Sequence, residues 1–320
     1  MQYFLSDIKM KNYLIASSSP LTESVERIKC CYEAGFAAAI LKSAADYERT
    51  GTGYGRKVIY TNDGYYADSS FEHEILTIDE GLNLYRKSLA ICPDMLLIPS
   101  ISASSLNASD WITPCQKFEN LGAKLLQLDF FYLGSLEHDT KFYNSLQLLL
   151  ETLTKTLKCK IMPKLNPRFE PNTICQILKI SGIHTISLLD SIRETPNDYL
   201  ELHKETTSYF GSRQFPYTLN YLKIAKQYGL EVCAGGGITS KEDVDILLAA
   251  GANMIQVASY ILNRNFESTK DLLGTNFPTN SNYKLLRHNP WCDTENGALC
   301  QDCGACIPHA LVKNNLNHLH

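Results

Sequence analysis

Residues 232–259 decide the fold, and they read VCAGGGITSKEDVDILLAAGANMIQVAS. Three glycines at 235–237 follow an apolar segment, and the Thr-Ser pair at 239–240 then marks the beginning of a helix. The Glu-Asp pair at 242–243 stands where a capping box places its acidic side chain. The stretch therefore predicts a strand, a glycine turn, a helix and a second strand.

The same alternation of strands and helices continues through the chain. Eight apolar segments have the length and composition of buried parallel strands, at 13–16, 37–41, 95–99, 124–129, 160–164, 184–189, 231–234 and 253–258. Helical patterns lie between them, at 21–34, 80–89, 110–121, 140–157, 171–180, 218–229 and 241–250. This order predicts a (β/α)8 TIM barrel over residues 1–270 and a short cysteine-containing tail over 271–320.

Two turns of the predicted barrel indicate a phosphate site. Gly236 and Gly237 follow the seventh strand, and Ala258 and Ser259 follow the eighth. Barrels of this class hold phosphate groups after these two strands, where backbone N–H groups face the anion. The alternative is an ordinary packing turn, because glycine-rich turns alone are weak evidence for a ligand.

Polar residues follow most of the predicted strands, at the end of a barrel where active sites lie. Lys42 and Lys164 end two nonadjacent strands, which favours an anionic ligand held from several sides; Lys42 alone is equally typical of a solvated rim. Long insertions at 44–75 and 191–216 have the length of functional lids.

Several motifs together resemble a known family. They are IASS at 15–18, LKS at 41–43, LQLD at 126–129, PKLNP at 163–167 and the stretch at 235–259. In order and spacing, residues 10–265 resemble the flavin-dependent dihydroorotate dehydrogenases and, more closely, the catalytic barrel of dihydropyrimidine dehydrogenases. The resemblance implies a flavin mononucleotide (FMN) cofactor and a small-molecule substrate.

The resemblance also implies roles for individual residues. Lys164 would contact the electron-rich edge of the flavin, where a cation stabilises the reduced ring. The ring would be lined by Ala16, Ser17, Lys42 and Ser43. The ribityl phosphate would be surrounded by Gly211, Gly236, Gly237, Ala258 and Ser259.

The substrate side departs from the family pattern. The family ends its fourth strand with an Asn-x-Ser-Cys-Pro or Asn-x-Ser-Ser-Pro run that supplies the catalytic base, whereas this chain has DFFYL at 129–133. Tyr132 occupies the position of the base, and Ser135, Glu137 and His138 in the following loop are the alternatives. Lys42, beside the flavin, is a further candidate for a catalytic role. The remaining substrate positions carry His73, Asp129, Asp190 and Ser191.

Two carboxylates in place of amides would repel the carboxylate of orotate. We therefore expect an oxidoreductase that acts on a CH–CH bond of a small cyclic or amide-like substrate other than dihydroorotate. The alternatives are a barrel that has lost its catalytic activity and a non-catalytic flavin-binding or iron–sulfur subunit of a larger complex.

Four cysteines in the tail form a candidate metal site. Cys300, Cys303 and Cys306 follow one another at three-residue steps, and Cys292 lies upstream. This spacing favours a [4Fe–4S] cluster, with zinc and free thiols as the alternatives. An iron–sulfur cluster in the tail would indicate that the protein exchanges electrons with a partner.

Composition restricts the remaining function classes. A net charge of −4 and the lack of a basic run argue against nucleic-acid binding. No apolar stretch reaches the ~18 residues of a membrane span. Residues 1–11 do not have the pattern of a signal peptide, so we expect a cytoplasmic protein with its 11 cysteines reduced or bound to metal. A homodimer is compatible with these features.

Overall fold

A computed structural model describes residues 2–46, 57–61, 63–68, 75–131, 133, 141–193 and 207–274. The strands of this part of the chain are β1 (Tyr3–Leu5), β2 (Ile8–Met10), β3 (Leu14–Ala16), β4 (Ala38–Ile40), β5 (Ala44–Ala45), β6 (Lys57–Thr61), β7 (Gly64–Asp68), β8 (Leu76–Thr77), β9 (Leu96–Ile98), β10 (Ser100–Ser102), β11 (Leu125–Asp129), β12 (Lys160–Lys164), β13 (Thr185–Ser187), β14 (Thr207–Gly211), β15 (Glu231–Ala234) and β16 (Met254–Val257).

The helices surround the central sheet and follow its strands in the chain. They are α1 (Val25–Glu33), α2 (Ile78–Ile91), α3 (Ala108–Asn120), α4 (Phe142–Thr156), α5 (Pro171–Ile180), α6 (Phe215–Gln227), α7 (Lys241–Ala249), α8 (Ser259–Leu262) and α9 (Thr269–Leu273). Short 3-10 turns lie at Pro20–Thr22, Ser212–Gln214 and Phe266–Ser268.

The central sheet is a curled, barrel-like α/β sheet. Within the described ranges it has 11 strands in the order β8-β5-β10-β11-β12-β13-β15-β16-β3-β4-β9, and its neighbouring strands run parallel. Only Pro99 separates β9, which pairs with β4, from β10, which pairs with β11. The segment 96–102 therefore supplies strands near both ends of the strand order.

The predicted strands and helices are confirmed with small shifts at their ends. All eight apolar segments contain a strand of the central sheet, and all seven helical patterns contain a helix. α1 begins four residues later than predicted, because the Ser24 side chain accepts a hydrogen bond from the Arg27 N–H and caps the helix there. The capping box at the start of α7 is formed by Ser240 and Asp243.

The N-terminal hairpin β1–β2 closes one end of the sheet. Its turn residues Ser6 and Asp7 have φ of 50° and 62°, which suits a tight hairpin turn. The Ser6 N–H donates to Glu231 Oε2 at 2.8 Å, and Lys160 forms an ion pair with Asp7. Glu231 and Lys160 begin β15 and β12, so the hairpin covers the N-terminal ends of the strands. The hairpin leaves the carboxyl ends of these strands uncovered, and a ligand site can form there.

The two predicted insertions pair with each other. β7 from the first insertion pairs antiparallel with β6 and with β14 from the second, so the three strands form one small sheet. The Tyr65 and Phe210 rings in this small sheet stack with centroids 5.1 Å apart. The sequence predicted the insertions but not their pairing.

The end of the described chain packs into the core of the barrel-like fold. α9 crosses the predicted boundary at residue 270, and its Leu272 and Leu273 are buried in the core. The cysteine tail from residue 275 onward lies outside the described residues. Among the helices described, none is both long and apolar enough to cross a membrane.

Candidate functional site

A cavity of about 180 Å³ opens at the carboxyl ends of the central strands. Its wall includes the glycine turn after β15 and the turn between β16 and α8. It also includes the ends of β11 and β12 and the aromatic rings of the small sheet. The lining residues come from both insertions and from most strands of the sheet, so the cavity is a property of the whole fold.

The glycine turn after β15 is shaped by backbone packing. Gly236 and Gly237 have φ of 102° and 82°, which side-chain-bearing residues rarely adopt. A Cβ atom on Gly237 would lie 2.3 Å from the Phe215 backbone nitrogen, and one on Gly235 would lie 2.3 Å from the Gln256 carbonyl oxygen. The fold therefore requires these glycines, and their backbone lines the cavity as a result.

A second turn lies beside the first. β15 and β16 are adjacent and parallel, with Cys233 opposite Met254 and Ala234 opposite Ile255, so the segments that follow them emerge together. Ala258 and Ser259 line the cavity at the beginning of α8, where no side chain caps the helix. Backbone N–H groups at two adjacent turns can bind one anionic group.

Three ionisable residues lie together in the cavity wall, and we call them the floor cluster: Asp129, Lys164 and Asp190. Asp129 and Lys164 end the neighbouring strands β11 and β12 and are directly opposite in register. Lys164 Nζ lies 3.0 Å from Asp190 Oδ2. All three side chains are buried, with the whole residues between 6% and 9% exposed.

Hydrogen bonds orient both carboxylates of the floor cluster. The Ser43 hydroxyl donates to Asp129 Oδ2 at 2.7 Å, and the Phe131 N–H donates to Oδ1 at 3.2 Å. The Ser191 N–H donates to Asp190 Oδ1 at 2.7 Å, which leaves Oδ2 for Lys164.

A chain of hydroxyl groups connects Asp129 to the interior of the sheet. The Gln127 side-chain amide donates to Ser100 Oγ at 2.9 Å, and the Ser100 and Ser43 hydroxyls are 2.9 Å apart. Because the single Ser43 hydrogen goes to Asp129, the Ser100 hydroxyl must donate to Ser43. This direction of donation stabilises an ionised Asp129.

Burial and neighbouring charges shift the pKa values of Asp129 and Lys164. Burial raises the pKa of Asp129 and the Asp190 carboxylate raises it further, while Lys164 and the Ser43 hydroxyl act against them. Burial alone would lower the pKa of Lys164, but Asp190 and Asp129 outweigh it, and the pKa lies above its usual value. Lys164 is therefore a cation.

A second lysine, Lys42, lines the cavity. Lys42 is half-buried and lines the cavity beside Ser17 and Ser43. Its backbone N–H donates to Thr22 O at 3.1 Å, which places the residue just past β4. No described carboxylate forms an ion pair with Lys42. Within the described part of the chain the two lysines therefore differ, because Lys164 has a carboxylate partner in Asp190 and Lys42 has none.

The small sheet forms part of the cavity wall. Tyr65, Ser208 and Phe210 line the cavity from its strands. Arg213 anchors the sheet by an ion pair with Asp63 (2.9 Å) and by its guanidinium carbon 3.7 Å from the centre of the Tyr209 ring. A cavity lined by both aromatic rings and charged side chains suits a flat, polar ligand.

Most of the sequence-predicted site residues that the structure describes lie together. The cavity is lined by Ser17, Lys42, Ser43, Asp129, Lys164, Asp190, Ser191, Gly236, Gly237, Ala258 and Ser259.

Two predicted residues lie away from the cavity wall. Ala16 is fully buried at the end of β3, beneath Ser17. Gly211 ends β14 within the small sheet, where an added Cβ would lie 2.3 Å from the Asp63 carbonyl oxygen. Its glycine is explained by this contact between the two insertions.

The other predicted site residues lie outside the described ranges. They are His73, Tyr132, Ser135, Cys292, Cys300, Cys303 and Cys306. Within the described ranges, no group of three His, Cys, Asp or Glu residues is arranged to hold a metal ion.

Sequence reasoning missed the aromatic and amide residues of the wall. Tyr65, Phe210, Gln214 and Gln256 line the cavity, and none of them was predicted. A signal for the hairpin was present, because Asp63-Gly64 separates two runs rich in aromatic and β-branched residues. No comparable signal marks β14, since its partner lies more than 130 residues away.

The sequence matches no model of a known protein family and no curated protein. Function must therefore be argued from the cavity itself.

Proposed function

We propose that the chain is an FMN-dependent oxidoreductase that acts on a CH–CH bond of a small cyclic or amide-like substrate. We infer that its parallel sheet closes as a (β/α)8 barrel and that the site resembles that of dihydroorotate and dihydropyrimidine dehydrogenases. One observation carries the proposal. The two phosphate-type turns, both predicted lysines and the predicted serines at the strand ends line a single cavity.

The turn residues fit a phosphate group. Backbone with no side chain faces the cavity at Gly236 and Gly237, and the start of α8 adds Ser259. Barrels of this kind use a short extra helix after the seventh and eighth strands for phosphate. These residues would hold the FMN phosphate.

Residues at the ends of β3, β4 and β12 fit the flavin ring. Ser17, Lys42, Ser43 and Lys164 would contact the ring, which exchanges two electrons with a substrate as hydride when it is bound. The small sheet would exclude water from a ring bound in the cavity, because its Tyr65 side chain forms part of the cavity wall. Exclusion of water strengthens the charges of the floor cluster.

The floor cluster favours a neutral or cationic substrate. Asp129 and Asp190 bring two carboxylates against one lysine, so a ligand carboxylate placed beside them meets uncompensated negative charge. At ~4 Å, each pair of like charges costs ~1–4 kcal/mol for effective dielectric constants between those of water and a protein surface. Dihydroorotate carries such a carboxylate.

The test of FMN binding compares two lysines on one strand. Lys164→Ala removes the lysine at the cavity end of β12, and Lys160→Ala removes the one at the opposite end, which pairs with Asp7. The wild-type protein and Lys160→Ala should bind FMN with a visible flavin spectrum. Lys164→Ala should bind it more weakly, by about tenfold for one lost charge-assisted contact.

Failure of the wild-type chain to bind added FMN would refute the proposal. FMN bound without reduction by dihydropyrimidines or other cyclic amides would favour the non-catalytic subunit instead.

A further inference from the structure

The floor cluster lies where its charge acts on any ring held in the cavity. Lys164 and the glycine turn line the same cavity. A ligand whose phosphate binds at Gly236 and Gly237 therefore occupies the same cavity as Lys164 and Asp190. The field of these buried groups is weakly screened, because salt and water do not separate them from the ligand.

The cluster carries more negative than positive charge when its members are ionised. Lys164 contributes one positive charge, and Asp129 and Asp190 contribute one negative charge each. Lys164 Nζ and Asp190 Oδ2 are 3.0 Å apart, with side-chain exposures of 10% and 12%. Loss of Asp190 would therefore change the charge of the floor by one unit in the positive direction.

Asp190 is built into its position. Its Oδ1 accepts from the Ser191 N–H at 2.7 Å, and its carbonyl oxygen accepts from the Gln214 side-chain amide at 3.0 Å. Both contacts fix the segment after β13, so Oδ2 faces Lys164 without further adjustment. A carboxylate held in this way neutralises the lysine continuously.

We propose that Asp190 neutralises Lys164 and thereby lowers the reduction potential of the flavin held in the cavity. This inference rests on the proposed function. Two-electron reduction adds negative charge to the ring, and an uncompensated lysine in the same cavity would stabilise that charge. A neutralised lysine does not, so the reduced flavin is a stronger reductant.

The test measures the ratio of reduced to oxidised FMN in anaerobic protein equilibrated with a redox dye. Asp190→Asn should raise this ratio at least tenfold at a fixed dye potential, which is about 30 mV for a two-electron couple. Asp7→Asn is the matched control, because it removes the carboxylate partner of Lys160 at the other end of β12. It should leave the ratio unchanged, and so should Asp190→Glu, which keeps the charge.

A double variant tests the same inference if Asp190→Asn does not fold. Lys164→Gln/Asp190→Asn removes both charges together and leaves neither of the pair buried alone. The ratio should then equal that of the wild type, because the two charges cancel. A tenfold fall would show that Lys164 acts without compensation and would overturn the inference.

Two results separate this inference from the proposed function. FMN bound by all variants with an unchanged ratio in Asp190→Asn would overturn the inference alone and leave the pair a structural contact. Wild-type protein that binds no FMN would overturn both.

Discussion

Gly237→Ala tests whether the turn after β15 depends on backbone geometry as argued. Gly237 has φ of 82°, and an added Cβ would lie 2.3 Å from the Phe215 nitrogen and 2.8 Å from its Cα. The left-handed backbone costs ~1–2 kcal/mol with a side chain present. The shifts needed to relieve this collision should lower the free energy of unfolding by a further ~1–3 kcal/mol, as overpacking does in protein cores.

Gly229→Ala is the matched control for this prediction. Gly229 follows α6 with φ of 74°, and an added Cβ there meets no atom within 4 Å. Gly229→Ala should therefore lower the free energy of unfolding only by the cost of the left-handed backbone, ~1–2 kcal/mol. The difference between the two variants isolates the collision.

The assay is urea denaturation followed by circular dichroism, together with an FMN titration of each folded variant. Gly237→Ala should unfold at lower urea than Gly229→Ala with an unchanged denaturant slope. It should also bind FMN more weakly, because the shifted turn moves the backbone that faces the cavity. Equal stability of the two variants would refute the argument about the turn.

The two remaining predictions concern the substrate and the tail. Dihydroorotate should reduce the bound flavin far more slowly than uncharged dihydrouracil, because Asp129 and Asp190 face the cavity; turnover of dihydroorotate at ~1 per second or faster would contradict this. Anaerobically prepared protein should contain about four irons with matching sulfide, or about one zinc, and Cys303→Ser should remove the metal while FMN stays bound. Cys159→Ser, in a partly buried barrel thiol, should leave the metal in place; protein without either metal before any exposure to air or chelator would leave only free thiols.

Local sequence patterns were sufficient to predict the strands and helices of the central α/β fold. The apolar segments that became β11, β12 and β15 were predicted within one residue at each end. Parallel strands buried on both faces are continuous apolar runs, so their limits are visible in the sequence. The capping box at Ser240 and Asp243 was equally visible, since its bonds join residues three apart.

The environment of Lys164 was not accessible to the same reasoning. The sequence predicted that Lys164 and Asp190 would both face a ligand, yet the structure places them 3.0 Å apart. They are separated by a helix and a strand in the chain, and only the pairing of β12 with β13 brings them together. Likewise, the close approach of Gly211 to the Asp63 carbonyl oxygen joins the two insertions and was not visible in the sequence.

The sequence alone determined the alternation of strands and helices, the position of the glycine turn and the end of the sheet at which polar residues gather. These features depend on periodicity and on bonds between near neighbours in the chain. Tertiary structure alone decided which charges compensate one another and how the two insertions pair over the cavity. Such contacts join residues far apart in the chain, and their energies depend on burial and distance, which exist only once the sheet has curled.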